Sequence, residues 1–271
     1  MPNEQINSNF LISKYGKLHY CQYGNGEKVL LIFHGFGQDH KLAAPIAELL
    51  DGQYTIYSFD LPYHGKSTWA EEEVQLTKKM LGEMFSEWLK KEKINTFSTL
   101  GYSMGGKFSL GILEQFPEQV EQSILIAPDG LHKSIWYSLA TSFPIKSLFQ
   151  YTIDHPSFFF SLTKFISKTG IAPSKLVQFS VSQMATSELR KQVFYTWANF
   201  QELYTNKQAL DKLVNAHQVE IRLILGERDT IINPKKIRPF VKRIPRINLD
   251  ILPTGHGRLF EASAPLLKKY L

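Results

Sequence analysis

The sequence predicts an α/β fold: a mostly parallel, eight-stranded sheet flanked by helices, with a helical insertion. Three observations predict it. Short apolar runs suited to strands alternate with longer stretches that carry a helical stripe. The run Val29-Leu30-Leu31-Ile32-Phe33 is apolar without interruption, as a strand buried on both faces should be. The alternation then breaks once, from about Asp129 to about Tyr204, where aromatic residues and prolines replace strand-like runs.

Taken in order, Phe10–Ser13 and Leu18–Tyr23 read as two strands of a hairpin turned at Tyr15-Gly16-Lys17. Val29–Phe33 is the first buried strand, followed by a helix over Leu42–Leu50 and a strand over Tyr54–Phe59. Val74–Lys91 repeats apolar residues at Leu76, Met80, Leu81, Met84, Phe85, Trp88 and Leu89, the stripe of an amphipathic helix. Thr96–Leu100 is a strand. The helix after Ser103 carries Phe108, Leu110, Ile112 and Leu113, and Ser123–Ala127 is the sixth strand. The insertion, 129–204, is punctuated by Pro144, Pro156 and Pro173 and reads as several helices. The core domain is then 1–128 with 205–271. Ile221–Leu225 resumes the sheet. Pro234–Ile244 is a helix with proline in its first turn, Ile247–Leu252 the last strand, and Arg258–Leu271 a closing helix.

Composition narrows the function. Of 271 residues, 43% are hydrophobic and 21% charged, ordinary for a globular chain. The net charge of +6 is dispersed, with short clusters at Lys90-Lys91, Lys235-Lys236 and Lys268-Lys269 that read as solvated helix ends, so no nucleic-acid partner is expected. The single cysteine, Cys21, rules out an intrachain disulfide, a Cys-rich metal site and a CxxC redox motif, and reads as a buried apolar residue. The polar start of the chain lacks a signal-peptide core, and Val29–Phe33 is too short for a membrane span; a cytoplasmic location is expected.

The chemistry is concentrated in four loops. Gly101-Tyr102-Ser103-Met104-Gly105 joins a strand to a helix. A sharp turn there exposes the Ser103 hydroxyl and sets the Met104 N–H at a helix N-terminus, where it can hold an oxyanion. A serine needs a base, and the base needs a carboxylate. Open α/β sheets place such groups past the carboxyl ends of their strands. Asp229 follows Ile221–Leu225 and His256 follows Ile247–Leu252, giving the order Ser, Asp, His. Asp129 and Glu227 are the rival acids. His256 is singled out from eight histidines by its Gly-flanked loop. In His34-Gly35-Phe36-Gly37, the Phe36 N–H is the expected second oxyanion donor, and His34 is expected to bond the loop backbone. No metal or organic cofactor is implied, because this chemistry is complete without one.

Together with Asp60-Leu61-Pro62-Tyr63-His64-Gly65-Lys66-Ser67, Leu225-Gly226-Glu227-Arg228-Asp229 and Gly255-His256, these motifs resemble the α/β-hydrolase-fold superfamily over essentially the whole chain. The resemblance implies that 129–204 is a cap (lid) forming the substrate pocket, and that Asp60 and His64 support the oxyanion loop. A serine at the turn excludes the dehalogenase and epoxide hydrolase branches, which use aspartate. What remains is acyl chemistry, first of all a carboxylic-ester hydrolase for small to medium, partly apolar esters, with Tyr102, Lys107 and Trp136 as expected substrate-binding residues. Two alternatives stand beside it. Gly101–Gly106 with Lys107 also resembles the pyruvate-eliminating lyase SHCHC synthase, in which arginine usually stands where this chain has Lys107; carbon–carbon hydrolysis belongs to the same alternative. The third reading is a ligand-binding protein of the same fold that needs no turnover.

Overall fold

The structure is a computed structural model that describes residues 6–50, 52–70, 74–132 and 184–271, with 147, 150, 151, 153, 155–158, 160, 161, 164 and 181 between them. The chain divides into two compact units. One comprises residues 1–71, 76–132 and 202–271; the other comprises 72–75 and 133–201.

The first unit is built on β1 (Asn7–Ser13), β2 (Gly16–Tyr23), β3 (Lys28–Phe33), β4 (Tyr54–Phe59), β5 (Thr68–Trp69), β6 (Phe97–Tyr102), β7 (Val120–Ile126), β8 (Glu220–Gly226) and β9 (Ile247–Leu252). Their order across the sheet is β1-β2-β4-β3-β6-β7-β8-β9, with β5 paired to β2 off this path. The eight expected strands are therefore the path, and the ninth is a two-residue strand beside Gly16 and Lys17, too short to carry a periodic signal. Pairing is parallel from β4 through β9 and antiparallel where β2 meets β1 and β4. Parallel strands need crossovers of a dozen or more residues, and helices supply them: α1 (Ala44–Leu50), α2 (Lys78–Glu92), α3 (Gly105–Gln115), α5 (Lys207–Ala216) and α6 (Pro234–Val241), while α7 (His256–Ala262) and α8 (Ala264–Tyr270) follow the last strand.

Helix ends fall where the backbone finds caps. Val74–Leu76 precede α2, because Thr77 accepts the Met80 N–H at 3.2 Å and starts the helix there. Lys93 ends it in the left-handed region at φ 57°. The closing helix is two helices, broken at Ser263, whose hydroxyl donates to Leu259 O at 2.6 Å ahead of Pro265. Sequence periodicity missed α5, whose apolar face buries only Leu210 and Val214; the Asn206 side chain, which accepts from Gln208 N and Ala209 N, was its readable signal.

Leu30, Leu31, Ile32 and Phe33 of β3 are fully buried, as are Phe59, Phe85, Phe97 and Phe108 around them. Burial of each such side chain stabilises by roughly 1.5–3 kcal/mol relative to exposure, so this central layer is the rigid platform for the loops at the strand ends. In the second unit, α4 (Ser187–Asn199) is capped by Thr186 and packs Phe194 and Ala198 with Ile153. Its buried Arg190 donates to the carbonyls of Ile153 at 2.9 Å and Met184 at 3.2 Å.

Candidate active site

Ser103 occupies the turn between β6 and α3 at φ 52°. A side chain in the left-handed region costs on the order of 1–3 kcal/mol and persists only where its surroundings enforce it. Here the Ser103 N–H donates to Ile126 O at 2.9 Å, and its carbonyl accepts from Gly106 N at 2.9 Å and Asp129 N at 2.8 Å. The turn is sharp because α3 runs directly against β3. A Cβ on Gly105 would stand 2.0 Å from the Phe33 carbonyl oxygen, which only glycine avoids.

Asp229 and His256 leave the ends of neighbouring strands, and pairing continues into their loops. Glu227 N donates to Leu252 O at 2.9 Å and Arg228 N to Thr254 O at 3.0 Å, so the two loops advance together. His256 thereby presents Nδ1 at 2.7 Å from Asp229 Oδ2 and Nε2 at 2.9 Å from Ser103 Oγ. The Asp229 side chain is buried, and its Oδ1 accepts from Ile231 N at 2.8 Å and Ile232 N at 2.9 Å. With every oxygen committed, the carboxylate has one orientation, and the imidazole proton is held on Nδ1. That leaves the Nε2 lone pair facing the serine hydroxyl.

The rival acids lie elsewhere. Asp129 Oδ2 is 2.9 Å from Lys107 Nζ, and Oδ1 accepts from Tyr204 OH at 3.0 Å and Gly130 N at 2.8 Å. Glu227 is exposed. Lys107, expected at the substrate, is buried at 2% exposure, with its ammonium also 4.3 Å from the Tyr204 ring centre. Tyr102, also expected there, is buried; its hydroxyl donates to His256 O at 2.9 Å and its ring stacks on the imidazole at 5.6 Å. Burial pushes that phenol up to about 12, so it stays a donor at neutral pH. Trp136 lies outside the described residues.

Across from the serine runs the loop after β3. A Cβ on Gly35 would lie 3.4 Å from Ser103 Cβ, so the loop passes as close to the serine as a side chain would allow. Phe36 is half-buried, and Met104, following the serine, is buried at the start of α3. Gly35 N donates to Gln38 Oε1 at 2.9 Å, and Gln38 N to Gly35 O at 3.3 Å, closing the turn. Behind it, His34 Nδ1 lies 2.6 Å from Gly35 O, and Nε2 accepts from Leu61 N at 3.0 Å. A carbonyl only accepts and an amide only donates, so this ring is neutral with its proton on Nδ1. Sequence reasoning assigned His34 and His64 to this support but missed Gln38, which has no motif of its own.

Burial drives the His34 imidazole down to about 4. It drives His64 down to about 3, with the neighbouring His34 adding to the shift. Unfolded, both would titrate near their ordinary value of 6.5. Between these limits the unfolded chain binds more protons than the folded one, so stability is complete above about pH 6.5 and is lost as pH falls toward 4. Each histidine contributes a slope of up to about 1.4 kcal/mol per pH unit in that window. Urea denaturation at pH 7 and pH 5 is expected to show a lower midpoint at pH 5; equal midpoints would contradict these two buried neutral rings.

A sequence model of the alpha/beta hydrolase fold family matches residues 28–165. Poly(3-hydroxyalkanoate) depolymerase of Ectopseudomonas oleovorans is 25% identical over 261 residues, covering 89% of this chain and 83% of that protein. Pimeloyl-[acyl-carrier protein] methyl ester esterase of Legionella pneumophila (strain Corby) is 32% identical over 109 residues, 40% of this chain and 41% of the esterase. Among solved structures, naproxen esterase from Bacillus subtilis superposes with a TM-score of 0.65 over 98% of this chain and 90% of its own, at 16% identity. Among the described residues no helix is long and apolar enough to cross a membrane.

Proposed function

Because the chain belongs to the alpha/beta hydrolase fold family, we propose that this hydrolase cleaves small to medium, partly apolar carboxylic esters through Ser103, His256 and Asp229. The observation that carries the reading is the relay of 2.9 Å from Ser103 Oγ to His256 Nε2 and 2.7 Å from His256 Nδ1 to Asp229 Oδ2. In this reading His256 takes the Ser103 proton as Oγ attacks the ester carbonyl. The N–H groups of Phe36 and Met104 hold the oxyanion, and each such donor contributes roughly 2.7–4 kcal/mol of transition-state stabilisation. His256 then protonates the leaving alcohol, giving an acyl-serine. A water deprotonated by His256 releases the acid. Asp229 stays ionised and stabilises the imidazolium.

Similarity to an ester depolymerase and a methyl ester esterase supports ester chemistry. The pairing of Lys107 with Asp129 and Tyr204 also favours it over pyruvate elimination, because that ammonium already has its counter-charge. We assign the choice of acyl chain to the inserted segment 129–204. The test is hydrolysis of p-nitrophenyl esters of increasing acyl length, alongside labelling of Ser103 by a fluorophosphonate. Turnover with an optimum at short or medium chains is expected. Labelling without turnover of any ester would overturn the ester reading and favour carbon–carbon chemistry; absence of both would favour the ligand-binding alternative.

A further inference from the structure

A second cluster of chemically capable side chains lies on the far side of the loop that carries Phe36. His19 and Cys21 stand two residues apart on β2 and so share one face of that strand. His40 opens the short 3-10 turn His40–Ala43 that follows the loop after β3. One ring nitrogen from each histidine and the Cys21 sulfur lie within 4.8 Å of one another, and His19 Nε2 is 4.0 Å from Cys21 Sγ. We infer that His19, Cys21 and His40 form a binding site for one divalent transition metal, with zinc the ion that best suits their donor chemistry.

Three features support a built site. The first is the donor set: two imidazoles and a thiol match the nitrogen and sulfur preference of zinc, whereas calcium and magnesium take oxygen. The second is Asp60. Its carboxylate is fully buried behind both rings, with Oδ2 at 2.8 Å from His19 Nδ1 and Oδ1 at 2.9 Å from His40 Nδ1. Metal-bound histidines characteristically give their other ring N–H to a carboxylate, which fixes the tautomer and leaves Nε2 as the ligand atom. Asp60 does this for two rings at once. It is itself fixed by the N–H groups of His40 at 2.7 Å and Lys66 at 2.8 Å. The third is charge: a bound dication would displace the Cys21 thiol proton to solvent, and the resulting thiolate together with the Asp60 carboxylate would neutralise it.

The Ser8 hydroxyl lies 2.8 Å from His19 Nε2, where it donates to the lone pair that a metal would take. Ser8 is exposed, so this side of the cluster is also its entry path. Tetrahedral zinc sets its donors about 3.3–3.6 Å apart, so binding requires donors that lie within 4.8 Å of one another to close by up to about 1.5 Å. His40, with a side chain only partly buried, has the room to move. Three protein ligands leave a fourth position for Ser8 or water. The metal would clamp β2 to the segment behind the Phe36 loop and takes no part in the ester chemistry, so this inference stands apart from the proposed function.

The test uses the full-length, metal-stripped protein titrated with Co²⁺ and then competed with Zn²⁺. Because Cys21 is the chain's single cysteine, a sulfur-to-cobalt charge-transfer band reports this site alone. The expected result is one equivalent of Co²⁺, a band that Zn²⁺ abolishes, its loss in Cys21→Ser, and at least tenfold weaker binding in His40→Gln. Ester turnover by Cys21→Ser should match the parent. Should Cys21→Ser fail to fold, His40→Gln with its intact cysteine carries the comparison. No band on titration, or binding lost in His256→Ala but retained in His40→Gln, would overturn the inference.

Discussion

Replacing Ser103 with alanine is expected to lower ester turnover by about 10⁶-fold, close to the loss seen when a serine hydrolase nucleophile is removed. Geometry, more than the motif, sets this expectation. Ser103 Oγ is the partner of His256 Nε2 at 2.9 Å, and among the described residues no other hydroxyl is recorded on that nitrogen. The substitution leaves the backbone at φ 52°, as strained for alanine as for serine, so melting temperature should barely change. His256→Ala should cost a comparable factor, and the double variant scarcely more, because the two act as one unit. Steady-state rates on a p-nitrophenyl ester, with melting curves as the fold control, decide it. Turnover within tenfold of the parent in either variant would refute the assignment of the nucleophile and base.

Asp229→Asn is expected to cost about 10⁴ in rate, again with little change in fold. The introduced amide would still have to offer an oxygen to the N–H groups of Ile231 and Ile232, which lie 2.8 and 2.9 Å from Oδ1 of the native carboxylate. Its NH₂ must then face His256 Nδ1. Since that nitrogen would have to accept, the ring proton would move to Nε2, and the base would meet the serine with no lone pair. The comparison that tests this is Asp129→Asn. Asp129 holds Lys107 and Tyr204 through its carboxylate and Ser103 only through its backbone N–H. Its loss should therefore register in stability, by leaving the buried Lys107 ammonium short of its counter-charge, before it registers in rate. A larger rate loss in Asp129→Asn than in Asp229→Asn would move the acid to the end of β7.

How much of this was legible in advance varies with the range of the interaction. Val29–Phe33 announced a doubly buried strand because a parallel strand covered by helices has no polar face to show, and the residues from Leu30 to Phe33 are indeed fully buried. The positions of Ser103, Asp229 and His256 were readable because each follows directly on a strand, and strand ends are where such sheets collect their loops. By contrast β5 and α5 were missed, being held by two residue pairs with β2 and by two buried side chains respectively. Lys107 was expected at the substrate; it is buried instead, with its ammonium over the ring of Tyr204, ninety-seven positions away in the chain.

The sequence by itself determined the fold class, the family and which residues are candidates, because strand periodicity, turn chemistry and the order of motifs are local properties of the chain. Only the tertiary structure decided among the candidates. Asp229 rather than Asp129 meets His256 because pairing of β8 with β9 continues into their loops, while the end of β7 is taken up by the Ser103 turn and Lys107. Likewise His19 and His40 share one carboxylate because β2 pairs with β4, and Asp60 follows directly on the end of β4 at Phe59. Hydrogen bonds and ion pairs depend on separations of a few ångströms between groups far apart along the chain, and those distances exist only once the sheet has set its order and register.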